Sequence, residues 1–216
     1  MHVILFGTTG MVGQGVLREC LLDPRVEKVL SIGRSKTGQR HPKLEEADIR
    51  DFESLDIAAY DACFFCLGVS SAGMSEEDYR RVTYDLTLDV AKKIAAPRMT
   101  FIFVSGAGTD STERGRTMWA RVKGATENAL LKLPFKAAYM FRPAVIQPLH
   151  GVKSRTTSYR VLYAITRPLL PLLKRMLPKY VTTTEQVGRA MINVAANGAP
   201  KAILESEDIS RHGRPR

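Results

Sequence analysis

His2-Val-Ile-Leu-Phe6 runs directly into Gly7-Thr-Thr-Gly10-Met-Val-Gly13 near the start of the chain. A strand-forming run, a glycine turn and a helix from about Met11 are the opening of a dinucleotide-binding βαβ unit. Each glycine has its own task. Gly7 permits the tight turn, Gly10 lets the backbone approach a pyrophosphate, and Gly13 lets the helix pack closely on the strand. The helix N-terminus then presents free N–H groups and the positive end of its dipole to phosphate oxygens. Gly7, Thr8, Thr9, Gly10, Met11, Val12 and Gly13 are therefore the expected phosphate loop. Val12, Val16, Leu17, Cys20 and Leu21 recur at helical spacing behind it, as a helix covering a sheet requires.

Further strand-like runs follow at 27–32, 44–47, 62–66, 99–104, 136–141 and 201–204, with helical patterns between most of them. Alternating β and α segments argue for a parallel sheet covered on both faces, an α/β doubly wound Rossmann fold. The chain has 216 residues, 44% of them hydrophobic, which suits one domain with a full core over 1–216. Ser75 with Asp78 forms a capping-box pattern, and Tyr79, Val82, Leu86, Val90 and Ile94 form an apolar stripe ended by Pro97. A last helix is expected from Thr184 as N-cap to Asn197-Gly198. Residues 150–183 break the alternation. They are basic and interrupted by Pro168, Pro171 and Pro178, and read as a small C-terminal helical cap.

The net charge of +10 is uneven. From Asn128 to Thr184 there is no Asp or Glu, and ten Lys and Arg side chains, Arg142 among them, fall in that stretch. Such a field favours anionic partners without naming one. Peripheral contact of 153–180 with an anionic membrane ranks below a basic cap packed on the core. Nucleic acid is disfavoured, since no reading motif and no aromatic-lined basic groove is present. The four histidines show no metal-ligand spacing, so no metal is expected. Cys63 and Cys66 lie three apart on a strand, which turns their thiols to opposite faces as small buried hydrophobes. No basic leader precedes the first strand, and the chain reads as cytoplasmic.

The three-and-three glycine spacing in Gly7-Thr-Thr-Gly10-Met-Val-Gly13 resembles the short-chain dehydrogenase/reductase superfamily, in its atypical and extended, epimerase-like branch. The resemblance covers residues 1 to about 148 clearly and the remainder loosely. It implies a nicotinamide cofactor, and the residues after the second strand choose between its forms. Gly33-Arg34-Ser35-Lys36 has no acid to accept from a ribose 2′-hydroxyl, whereas Arg34, Ser35 and Lys36 suit a 2′-phosphate, so NADP(H) is expected. The resemblance further implies that Asp48 bonds the adenine amino group and Ile49 packs on the ring. It places Leu67 and Gly68 beside the central riboses, and Pro143 and Val145, in Phe141-Arg142-Pro143-Ala144-Val145, along the nicotinamide.

Related reductases use a hydroxyl after the fifth strand and a Tyr-x-x-x-Lys pair on the next helix. Here Ser105 and Lys123 occupy the serine and lysine positions, but Trp119 stands where the tyrosine is expected. An indole N–H donates a hydrogen bond and does not titrate, so it cannot relay a proton. Two readings follow. In the first, the protein is an NADP-dependent oxidoreductase or epimerase-like enzyme on a small molecule. Its proton then comes from Tyr163 or from a water held by Thr109 or Ser111. In the second, the protein is a non-catalytic NADP(H) sensor acting through a protein partner.

Overall fold

The computed structural model describes residues 1–152 and 179–215. The expected cap helices and Tyr163 lie outside them. Nine strands form among the described residues: β1 (His2–Phe6), β2 (Lys28–Gly33), β3 (Leu44–Asp48), β4 (Ala62–Phe65), β5 (Thr100–Val104), β6 (Ala137–Arg142), β7 (Val145–Gln147), β8 (Val181–Thr183) and β9 (Ile203–Glu205). Seven of them build one sheet in the order β3-β2-β1-β4-β5-β6-β9, with every pairing parallel. The strands match the runs read from the sequence to within two residues at each end.

The strand residues alternate between two cores. Val3, Leu5, Ala62 and Phe64 face one cluster with Val16, Leu17, Val187 and Met191. Ile4, Phe6, Cys63 and Phe65 face the other, with Leu88, Phe101 and Phe103. Each Val, Leu, Ile or Phe among them, when wholly buried, contributes roughly 1.5–3 kcal/mol. Two apolar faces on every central strand require helices on both sides, and the sheet is doubly wound. Cys63 belongs to one cluster and Cys66 packs against the other, so the two thiols do point to opposite faces.

Helices α1 (Met11–Leu22) and α5 (Thr184–Asn197) pack together on the first face. α5 begins one residue earlier than expected: Thr183, not Thr184, is its N-cap, in a reciprocal capping box with Gln186. On the other face lie α2 (Glu76–Arg80), α3 (Leu86–Ile94) and α4 (Met118–Leu130). Ser75 accepts a hydrogen bond from Asp78 N, as its capping pattern predicts. α2 and α3 are joined by a π-helical turn over Arg81–Asp85. That wider turn rotates the stripe, so Val82 and Leu86 are exposed while Thr83 and Thr87 are buried in their stead. Two further elements carried too weak a pattern to be foreseen. β7 and β8 pair in parallel beside the main sheet, and α6 (Ser206–His212) follows β9.

Candidate functional site

Strand order reverses between β1 and β4, and in open parallel sheets the crevice at that point, beyond the strands' C-terminal ends, takes the ligand. Gly7 adopts φ +82°, and a Cβ there would lie 2.6 Å from the Cys66 carbonyl carbon. A Cβ on Gly13 would lie 2.0 Å from Gly7 O, so helix and turn touch through bare backbone. Gly10 is the N-cap of α1 and makes no side-chain cap. The first turn of α1 carries no acid, which leaves its N–H groups and dipole end for an anion. A Cβ on Gly10 would meet nothing closer than Gly7 O at 3.3 Å, so the open approach there is kept by the missing side chain. This donor set fits the pyrophosphate of a dinucleotide.

Not every residue of the loop faces that space with its side chain. Thr8 is buried, and its hydroxyl lies 2.8 Å from that of Ser31 on β2. Thr8 thus contributes backbone to the loop, while its side chain ties β1 to β2. Gln14 Nε2 donates to Thr9 O at 3.0 Å and steadies the same turn. Arg34, Ser35 and Lys36 are exposed just after β2. Among the described residues neither Arg34 nor Lys36 has a carboxylate partner.

Asp48 has more local duties than the family pattern implies. Its carboxylate caps the 3-10 turn Ile49–Ser54 by accepting from Arg50 N at 2.8 Å, and it also accepts from the Arg50 guanidinium. The hydrogen bonds from Arg50 hold the Asp48 carboxyl down at about 2. Ile49 is half-buried against the core, as is Leu67. Gly68 is exposed, with no atom within 4 Å of a Cβ placed on it.

The loops after β5 and β6 meet Lys123. Ser105 N donates to Phe141 O at 2.8 Å, and Ala107 N to Pro143 O at 3.0 Å, which ties the loop after β5 to the end of β6. Lys123 Nζ donates to Ser105 O at 2.7 Å. Burial pushes its pKa from an ordinary 10.5 to about 8, with Glu127 acting in the opposite direction. The Ser105 hydroxyl lies 2.7 Å from Thr109 Oγ1, which itself donates to Gly106 O. With the Thr109 proton directed to that carbonyl, the Ser105 proton goes to Thr109. Trp119 stacks its ring end near Gly108, 3.5 Å from where a Cβ would be. Pro143 is buried, and Val145 is half-buried at the start of β7, its N–H donating to Tyr180 O at 3.0 Å.

A second cluster went unread in the sequence. Glu127 on α4 is fully buried, and Arg142 Nε lies 3.1 Å from each of its carboxylate oxygens. Arg142 also donates to Ser111 Oγ at 2.6 Å and lies 3.7 Å from Glu205. This corrects the view of Arg142 as part of an unneutralised basic field. Its counter-ion, Glu127, stands one residue before the acid-free stretch begins. The only hint was the four-residue offset between Lys123 and Glu127. His150 pairs with Glu185 at 2.7 Å. Among the described residues no three His, Cys, Asp or Glu side chains gather as for a metal ion.

The chain is 16% identical to the Bordetella bronchiseptica enzyme WbmF, solved in complex with NAD+ and UDP, with a TM-score of 0.65 over 97% of this chain and 75% of that one. It is 13% identical to a Burkholderia thailandensis oxidoreductase of the short-chain dehydrogenase/reductase family, with a TM-score of 0.66 over 97% and 92% of the two chains. The chain shares the fold of these two proteins. No family model matches it. Along the sequence it is 27% identical to the protein fmp52-2, mitochondrial, of Aspergillus oryzae, over 97% of this chain and 96% of that relative. That similarity spans nearly the whole chain. Other fungal relatives are also named as mitochondrial. Those names overturn the cytoplasmic location read from the sequence.

Proposed function

We propose that this chain is a single NADP(H)-binding domain that acts as an oxidoreductase or epimerase-like enzyme on a small molecule. The observation that carries the reading is the bare α1 N-terminus behind Gly7, Gly10 and Gly13, with Arg34 and Lys36 exposed after the next strand and without a carboxylate partner among the described residues. Backbone N–H groups of the loop take the pyrophosphate, and Arg34 with Ser35 and Lys36 takes the 2′-phosphate. Asp48 and Ile49 hold the adenine end, Leu67 and Gly68 flank the riboses, and Pro143 and Val145 back the nicotinamide. Bound cofactor supplies hydride chemistry there. Lys123, fixed on the Ser105 carbonyl, keeps two further N–H bonds for ribose hydroxyls or for a substrate oxygen.

The second reading is a non-catalytic NADP(H) sensor with a protein partner. It is favoured by Trp119 in the tyrosine position and by the use of the Ser105 hydroxyl proton within its own loop. Titration with NADPH and NADH, followed through the fluorescence of Trp119, tests the shared claim. NADPH should bind more tightly than NADH. Arg34→Ala should weaken NADPH by about 10- to 100-fold, the range for hydrogen bonds to a charged group, and leave NADH unchanged. Absence of binding for both nucleotides would overturn the reading. Turnover with a panel of carbonyl compounds then separates enzyme from sensor.

A further inference from the structure

Glu127 and Arg142 present a physical puzzle. Two opposite charges taken out of water lose more hydration than their attraction commonly returns, and an apolar pair of equal volume is often as stable or more so. Glu127 is wholly buried and Arg142 nearly so, with Arg142 donating to both carboxylate oxygens. Packing alone does not call for such a pair. Its neighbours suggest what does. Glu127 lies four residues beyond Lys123 on α4, hence on the same helix face. Arg142 closes β6, and its guanidinium also holds Ser111, in the loop that begins at Ser105. Asn128 Nδ2 donates to Ser111 O at 2.9 Å and pins that loop a second time.

We propose that the buried Glu127–Arg142 pair is a positioning element acting through Lys123, fixing the charge presented at the Ser105 carbonyl. The proposal rests on the reading of Lys123 as part of the nucleotide site. Lys123 is half-buried, and its charged form is opposed by desolvation and supported by Glu127. The other charged groups near α4 are turned elsewhere. Asp110 accepts from Thr112, Arg114 and Gly115 of its own loop. Arg121 reaches Glu76 on α2, and Glu113 accepts from Asn128. Arg142 fixes the Glu127 carboxylate in place through both of its oxygens, and so grades how strongly Glu127 acts on the ammonium. A stronger clamp leaves Glu127 less able to support Lys123, and a weaker one leaves it more able.

The full-length protein with 13C-labelled lysine tests this by nuclear magnetic resonance, without any cofactor. The Lys123 signal is identified by its loss in Lys123→Met. In the wild type it should titrate near 8. Glu127→Gln should move that midpoint down by about one pH unit or more, the effect of losing an opposite charge nearby. Arg142→Met should move it up. A pair that merely supports the fold would instead loosen the site in both variants and send both midpoints up towards an ordinary lysine. That outcome overturns the proposal, as does an unchanged midpoint in either folded variant. The double variant Glu127→Gln with Arg142→Met leaves no unpaired buried charge and is expected to fold. If the single variants do not fold, a midpoint below wild type in the double supports the proposal and an unchanged one overturns it. NADPH titration of the wild type is a separate readout, so its failure removes the nucleotide reading and leaves the lysine result standing.

Discussion

Lys123→Met tests the electrostatics of the site through the stability of the whole chain. In the folded protein burial lowers the Lys123 pKa to about 8, whereas in the unfolded chain the side chain returns to 10.5. Between these values the unfolded state binds more protons, so stability rises with pH. The penalty of the buried charge is fully present below pH 8 and is gone above pH 10.5. Linkage over that interval amounts to about 3 kcal/mol, and about 2.5 kcal/mol of it falls between pH 7 and 10. Methionine has similar length and no charge, so the variant lacks this dependence. Urea unfolding of both proteins at pH 7 and pH 10 provides the comparison. The stability difference between wild type and Lys123→Met should shift by about 2.5 kcal/mol in favour of the wild type as pH rises. Other titrating groups are common to both proteins and cancel in the difference. The hydrogen bond to Ser105 O survives in the neutral amine and adds only a constant offset. A difference that is the same at both pH values would refute the reasoning.

Gly13→Ala places a methyl group 2.0 Å from Gly7 O, so α1 has to move off the turn. It should destabilise the protein by about 1–3 kcal/mol, as overpacking does, and remove NADPH binding; thermal unfolding and the Trp119 titration report the two effects. Thr8→Val leaves the buried Ser31 hydroxyl without its partner and should lower stability by about 1–3 kcal/mol, measured by urea unfolding. His150→Ala breaks a part-exposed pair with Glu185 and should change stability by less than about 1 kcal/mol; a larger loss would give that contact a structural role beyond its geometry.

The features legible in the residues are those whose cause is local. A glycine must stand where a Cβ meets backbone, so Gly7 and Gly13 announce the turn directly. Alternating apolar residues announce buried strands, and all seven strands of the main sheet were readable in this way. Lys123 was found through its offset from Trp119, since a helix face is set by spacing alone. What the tertiary structure decided are pairings between segments distant along the chain. The π-helical turn after α2 moved Val82 and Leu86 outward against a faultless stripe. Thr8 and Arg142 have side chains suited to several partners, and only the folded chain brings Ser31 and Glu127 within reach of them. Helical and strand periods are properties of one segment. The buried Glu127 carboxylate finds its counter-ion on a second segment, and that depends on how the sheet and helices assemble in space.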